Sequence, residues 1–188
     1  MLRVIGGKAK GRFLKVPKGS RIRPTSDKVR ESLFNIIPQS FIEGKRFLEL
    51  FAGTGAVGIE AISRGASHVT FIESNTGHCK MIYENLDLCD FKDSAEVICA
   101  DVLKSLDKYF KEKPGYDIVF IDPPYNFPKW KILLPKVSAN VSIFDYGFLI
   151  FEHMSKVSIN TEIEDFSLYG KYIYGDTTLT VYRKLKVK

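Results

Sequence analysis

Cysteine is scarce in this chain of 188 residues. Cys79, Cys89 and Cys99 are odd in number and form no CxxC pair. That usage predicts reduced thiols rather than a disulfide framework or a zinc site. His68, His78 and His153 show no metal-ligand spacing, so no metal is expected. No apolar run reaches the roughly 18 residues of a membrane-spanning helix. The opening Met1–Ile5 gives way to lysines and glycines and lacks the apolar stretch of a secretory signal. A cytoplasmic protein without membrane contact is expected. Internal repeats and low-complexity tracts are also missing. The hydrophobic content of 45% is that of an ordinary globular domain with a proper core.

Charge is plentiful but unevenly placed. Residues 1–30 hold ten Lys or Arg (Arg3, Lys8, Lys10, Arg12, Lys15, Lys18, Arg21, Arg23, Lys28 and Arg30) against one acid, Asp27. The segment therefore carries +9, and the chain total of +6 leaves −3 for the rest. A basic arm on a neutral-to-acidic body points to a polyanionic partner met by the arm. Residues 2–5 and 12–16 are apolar or β-branched around Gly6–Gly11. This predicts a short hairpin with lysines at its tip. A lone hairpin is marginal, so it must dock on the body or on a ligand. Pro24 favours an extended Arg23, Thr25 or Ser26 offers an N-cap, and Val29, Leu33, Ile36 and Ile37 predict a helix that stops at Pro38.

From Arg46 onward, strands and helices alternate. Strands are predicted at 47–51, 68–72, 96–99, 116–121 and 147–152. Helices are predicted at 57–64, closed by Gly65, and at 75–89 and 102–110. A further helix around Trp130–Val137 is expected to bend or break at Pro135. The tail reads as two β-rich runs, 163–173 and 177–184, turning at Tyr174-Gly175-Asp176. Repeated βα units followed by a hairpin imply an α/β fold. Its sheet should be mostly parallel, with one antiparallel strand near the edge.

Two stretches carry chemistry. The first is Glu49-Leu50-Phe51-Ala52-Gly53-Thr54-Gly55, at a strand-to-helix turn. Gly53 and Gly55 let a ligand approach the backbone closely. Phe51 stands where a dinucleotide turn would place its first glycine, and Glu49 would repel a phosphate but suit a cationic amine. Glu73 ends the next strand about 20 residues on, the spacing at which an acid takes ribose hydroxyls. Asp101 ends the third strand, where it can meet an adenine amino group or simply cap a helix. Three acids around one glycine loop imply a ligand with an amine, a ribose and a base, and S-adenosylmethionine fits. The second stretch is Asp122-Pro123-Pro124-Tyr125, directly after the buried strand 116–121. Its prolines stiffen the exit of that strand. This is where an α/β protein places its chemistry, although a rigid loop with a local carboxylate cap has the same sequence.

The chain resembles the class I S-adenosylmethionine-dependent methyltransferases, and among them the bacterial 16S rRNA guanine-N2 methyltransferase (RsmD) family. The resemblance spans essentially the whole chain. It rests on Arg3–Arg12, Arg23-Pro24-Thr25-Ser26-Asp27-Lys28-Val29-Arg30-Glu31, Leu50–Gly55, Gly58–Ala61 with Ser63–Ala66, and Phe120–Tyr125. It implies a Rossmann-like seven-stranded, mostly parallel sheet with a C-terminal antiparallel hairpin and a small N-terminal β-hairpin extension. Residues 1–25 would form an RNA-binding arm and 26–188 the methyltransferase domain. The implied reaction is methylation of guanine-966 N2 in 16S rRNA, within an assembled or assembling 30S subunit, by a monomer. Asp122, Pro123, Pro124 and Tyr125 would then be catalytic. Glu49, Phe51, Ala52, Gly53, Thr54, Gly55, Glu73 and Asp101 would bind the cofactor. Lys8, Lys10, Arg12, Arg23 and Thr25 would meet the RNA.

Other readings share parts of this pattern. Asp-Pro-Pro-Tyr also serves enzymes that methylate adenine N6 in DNA or RNA, although no target-recognition domain for DNA is evident. A non-catalytic RNA-binding module would have no need of Asp122, Gly53 and Glu73. A Rossmann dehydrogenase is disfavoured by Phe51 and Asp122.

Overall fold

The computed structural model describes residues 2–17, 27–110, 113–159 and 162–186. The βα repeat of the sequence builds a seven-stranded sheet in the order β3-β2-β1-β4-β5-β7-β6. The strands are β1 (Arg46–Leu50), β2 (His68–Glu73), β3 (Ala95–Cys99), β4 (Tyr116–Ile121), β5 (Ile143–Met154), β6 (Phe166–Tyr174) and β7 (Thr177–Lys184). The helices are α1 (Asp27–Ile36), α2 (Ala56–Ser63), α3 (Thr76–Leu88), α4 (Val102–Lys108) and α5 (Trp130–Asn140). The first five strands run parallel, and β7 lies antiparallel between β5 and β6. The central strands β1 and β4 are apolar on both faces, as a sheet covered by helices on both sides demands.

Two cores result. The first joins Phe47, Phe71, Phe120, Ile150 and Leu179 of the sheet to α1, α2 and α3. The second joins Leu48, Leu50, Ile121 and Phe151 to α4, α5 and the segment after β5. Leu2, Val4 and Leu14 of the N-terminal hairpin belong to the first core. The hairpin is pinned through Arg3 and Phe13, and the N–H groups of Val4 and Leu14 donate to the carbonyls of Arg12 and Leu2. Gly7 takes a φ of 73° against α2, where a Cβ would collide with the Ser63 carbonyl. No described helix is long and apolar enough to cross a membrane.

Three sequence expectations are corrected. Cys79 and Cys99 form a disulfide, where reduced thiols were expected. The β2-α3-β3 unit brings the first turn of α3 over the end of β3, with the two Cα atoms 6.0 Å apart, so twenty residues of separation close to bonding distance. Cys89 remains a buried free thiol. Helix α5 does not break at Pro135 but continues to Asn140. Strand β5 is longer than its apolar stretch, because its ends also find partners on β4 and β7. The expected N-cap at Thr25 or Ser26 lies outside the described residues.

Candidate functional site

Because β1, β2 and β4 are parallel, their carboxyl ends open on one edge of the sheet, and the two motifs meet there. After Leu50 the chain turns through Phe51 (φ 62°), Gly53 (φ 55°) and Gly55 (φ 73°) into α2. Phe51 thus adopts the left-handed conformation that a glycine would take without cost. Its ring meets Phe127 edge-on at 5.1 Å, which ties this loop to the one after β4. The loop is also stitched to β2, where Ala52 N–H donates to the Ile72 carbonyl (3.1 Å). A Cβ built on Gly53 would meet only the Phe51 carbonyl, at 4.0 Å, so the backbone there is open to an approaching ligand. On Gly55 a Cβ would press on Ile82 at 3.1 Å, so that glycine serves packing.

The acids divide by role. Glu73 ends β2 and faces the loop; its carboxylate accepts Gly53 N–H (2.9 Å) and Asn75 N–H (2.8 Å). Glu49 is buried and accepts Gly58 N–H on α2 (2.8 Å). Burial pushes its pKa up to about 8, with the charge of Asp122 adding to the rise. The N–H groups of Gly58 and Val57 and the Arg30 guanidinium oppose it. Asp101 lies just past β3 at the same rim and caps α4 by accepting Lys104 N–H (3.0 Å).

The Asp-Pro-Pro-Tyr turn follows β4. Asp122 N–H donates to the Leu50 carbonyl (3.3 Å), which sets the turn against the glycine loop. Phe127 N–H closes the turn onto the Pro124 carbonyl (2.8 Å). Pro123 is buried, whereas Pro124 is exposed and Tyr125 is 45% exposed. Tyr125 Oη is 3.0 Å from Thr177 Oγ1, which links the turn to the β6–β7 hairpin. Beneath it lies a small cavity bounded by Phe127, Phe151, His153 and Met154. The His153 ring is held by the Met154 carbonyl (2.9 Å) and Thr180 Oγ1 (2.8 Å), and burial pushes its pKa down. A larger apolar cavity of about 270 Å³ lies under α5 between Leu134, Pro135, Ile159 and Ile163. No motif residue lines it, and it belongs to the other core.

The basic arm is partly spent on the fold. Lys8 Nζ sits 4.6 Å over the Phe91 ring, and Lys15 pairs with Glu84 (3.0 Å). Lys10 and Arg12 are exposed on the hairpin. Arg23 and Thr25 lie outside the described residues.

Three buried polar residues to which the sequence reading gave no role at the site tie the arm to the helices around it. Glu60 on α2 accepts the N–H groups of Ile5 and Gly6, both at 2.7 Å, and pairs with Arg64 (2.7 Å). Arg30 on α1 is fully buried and donates to the Arg3 carbonyl and to Asp27. Asn85 on α3 accepts Lys15 N–H (2.7 Å) and donates to the Thr54 carbonyl (3.0 Å), so one side chain holds both arm and glycine loop. Arg30 and Glu60 stood inside quoted motifs but without a role, and the only sequence signal for Asn85 was a polar residue at a helix position otherwise suited to the core.

A profile of the family described as Conserved hypothetical protein 95 matches residues 2–183. The YlbH protein of Bacillus subtilis is 37% identical over 183 residues, covering 97% of this chain and 99% of its own. Ribosomal RNA small subunit methyltransferase D of Escherichia coli K12 is 30% identical over 183 residues, covering 97% and 90% respectively. The solved structure of YhhF from Escherichia coli superposes with a TM-score of 0.86 at 28% identity, over 99% of each chain. The seven-stranded sheet with its inserted antiparallel strand is accordingly a class I methyltransferase fold. The chain belongs to the Conserved hypothetical protein 95 family, the family of ribosomal RNA small subunit methyltransferase D.

Proposed function

We propose that this protein transfers the methyl group of S-adenosylmethionine to the N2 amine of one guanine in 16S rRNA, the guanine numbered 966. The observation that carries this reading is the placement of the Asp122–Tyr125 turn against the Gly53 loop, with Glu73 at the next strand end. The family relationship to ribosomal RNA small subunit methyltransferase D supports it.

The residues at the strand ends fit the cofactor. Gly53 leaves an open approach to the backbone, and Glu73 is an acid set beside it for ribose hydroxyls. Glu49 is a buried acid behind the loop that favours a nearby cation. When bound, S-adenosylmethionine supplies a methyl group already activated by its sulfonium. The protein must then turn a poor nucleophile toward that methyl. The lone pair of an exocyclic guanine amine is delocalised into the ring. Acceptors on both N–H bonds let the nitrogen pyramidalise. The Asp122 carboxylate and the Pro123 carbonyl are those acceptors, held in place by two prolines. Tyr125 stacks on the base once it is turned out, worth about 1–3 kcal/mol. Positioning and fixed dipoles carry the acceleration, and no strong base is needed because the amine proton becomes acidic after transfer. Residues 1–25 form the RNA-binding arm and 26–188 the catalytic domain.

The test is to map tritiated methyl groups on 16S rRNA, both free and in small subunits from a strain lacking the enzyme. Label on a single guanine as N2-methylguanine is expected. Label on adenine N6, or on duplex DNA instead of rRNA, would refute the reading.

A further inference from the structure

The Asp-Pro-Pro-Tyr turn offers acceptors for an amine, and an adenine N6 satisfies those as well as a guanine N2. Nothing in the turn itself explains a choice of base. The strand next to it does. The β4–β5 register pairs Phe120 with Ile150 and Ile121 with Phe151, so the following rung aligns Asp122 with Glu152. Phe120 and Ile150 face the first core, whereas Ile121 and Phe151 face the second. The two-residue period of a strand therefore places Asp122 and Glu152 on the face of Phe120 and Ile150. The antiparallel neighbour agrees, because Glu152 pairs with Leu179, which also packs in the first core. Glu49, paired with Phe120 on the other side, lies on the same face. By that period Asp122, the first residue past β4, and Glu152 on β5 stand about 5 Å apart at the backbone, on the face of the first core at the strand ends that carry the catalytic turn. Glu152 is 4% exposed, and it is engaged within the chain, as Asp122 is. A buried glutamate in a strand of Phe148, Leu149, Ile150 and Phe151 is costly to keep.

The Watson–Crick edge of guanine presents two adjacent donors, N1–H and the N2 amine. Adenine presents a donor at N6 but a lone pair at N1. A carboxylate beside the amine-binding turn therefore accepts from guanine and repels adenine. We propose that Glu152 is the residue that selects guanine, accepting N1–H while Asp122 and the Pro123 carbonyl hold the N2 amine. This rests on the guanine-N2 reading above and adds the determinant of base choice. It uses both modes of discrimination, a hydrogen bond to the right base and an unpaired, repelled carboxylate against the wrong one.

2-Aminopurine keeps the N2 amine but has a lone pair at N1 and no oxygen at C6, so the change of its rate ratio on Glu152→Gln is what reads the N1 contact. The experiment uses the full chain and 16S rRNA, free or reconstituted into small subunits, with guanine or 2-aminopurine at the mapped position. Single-turnover methyl transfer is measured for wild type and for Glu152→Gln, whose carboxamide can donate to an N1 lone pair. Wild type is expected to methylate 2-aminopurine on the order of 10²-fold or more slower than guanine. Glu152→Gln should slow on guanine and speed up on 2-aminopurine, shifting the ratio by at least about tenfold. Calorimetry of S-adenosylmethionine binding checks that the variant is folded. Equal wild-type rates on the two bases would overturn the proposal without any use of the variant. So would a folded Glu152→Gln with an unchanged ratio. If wild type labels adenine and not guanine, the underlying reading fails first and the proposal with it.

Discussion

Removing the Asp122 carboxylate takes one preorganised acceptor from the pocket and leaves the Gly53 loop in place. Asp122→Ala should therefore lower turnover by about 10²-fold or more, with S-adenosylmethionine affinity retained. Rapid-quench kinetics and calorimetry separate the two, and wild-type turnover would remove Asp122 from the mechanism. Glu49 makes a different kind of prediction. Its raised pKa, to about 8, means that it holds a proton at neutral pH in the unliganded protein. A group whose pKa is raised on folding favours the folded state fully below its unfolded value, near 4.5, and loses that contribution as pH climbs to about 8. Stability of the unliganded protein should fall over that window, and Glu49→Gln should flatten the fall. A cationic ligand favours the carboxylate, so cofactor affinity should rise with pH up to about 8 and proton release should accompany binding. Calorimetry in two buffers of different ionisation heat reads that proton. Phe51 shows how far single residues could be read in advance. Its identity disfavoured a dinucleotide turn, but its left-handed backbone and its packing on Phe127 required the structure.

At the scale of elements, the hairpin, α1 and α2 are joined by a buried charge network. Glu60 holds two backbone N–H groups of the hairpin and faces two guanidinium groups, Arg30 and Arg64. Glu60→Gln removes the charge from a fully buried pair and should destabilise the protein by about 3–5 kcal/mol. Amide hydrogen exchange of Ile5 and Gly6 should quicken at the same time. Unchanged melting and unchanged exchange would mean that the hairpin is held by its apolar packing alone. The elements themselves were legible, because apolar runs, Gly65 and Pro38 mark their bounds in the sequence. What tied them together was not. Glu60, Arg30, Asn85 and Glu152 gain meaning only from packing and strand register, which bring together residues from separate parts of the chain. The disulfide was misread for the same reason, since the crossover through α3 decides that Cys79 and Cys99 meet.

Over the whole molecule, part of the positive charge at the amino end also serves the fold. Arg30 is buried, and Lys8 and Lys15, though exposed, lie over Phe91 and beside Glu84, while Lys10 and Arg12 are two further exposed charges of the described hairpin. Replacing both with alanine should weaken rRNA binding and flatten its salt dependence, by a slope of about 0.7 for each single-strand phosphate that is no longer neutralised. Filter binding across a salt series measures this, and an unchanged slope would place the RNA elsewhere. Deleting the arm outright would be a poorer experiment, because Leu2, Val4 and Leu14 would leave the core with it.

The position of β7 has a consequence for how the protein is made. This last strand fills the slot between β5 and β6, and Leu179, Val181 and Tyr182 are completely buried. During synthesis the long flank of β5 therefore stays bare, and β6 lacks its β7 neighbour, until Thr177–Lys184 has cleared the exit tunnel. The sheet of an enzyme proposed to modify ribosomes thus closes only once its seventh strand is free to slide between two strands made before it.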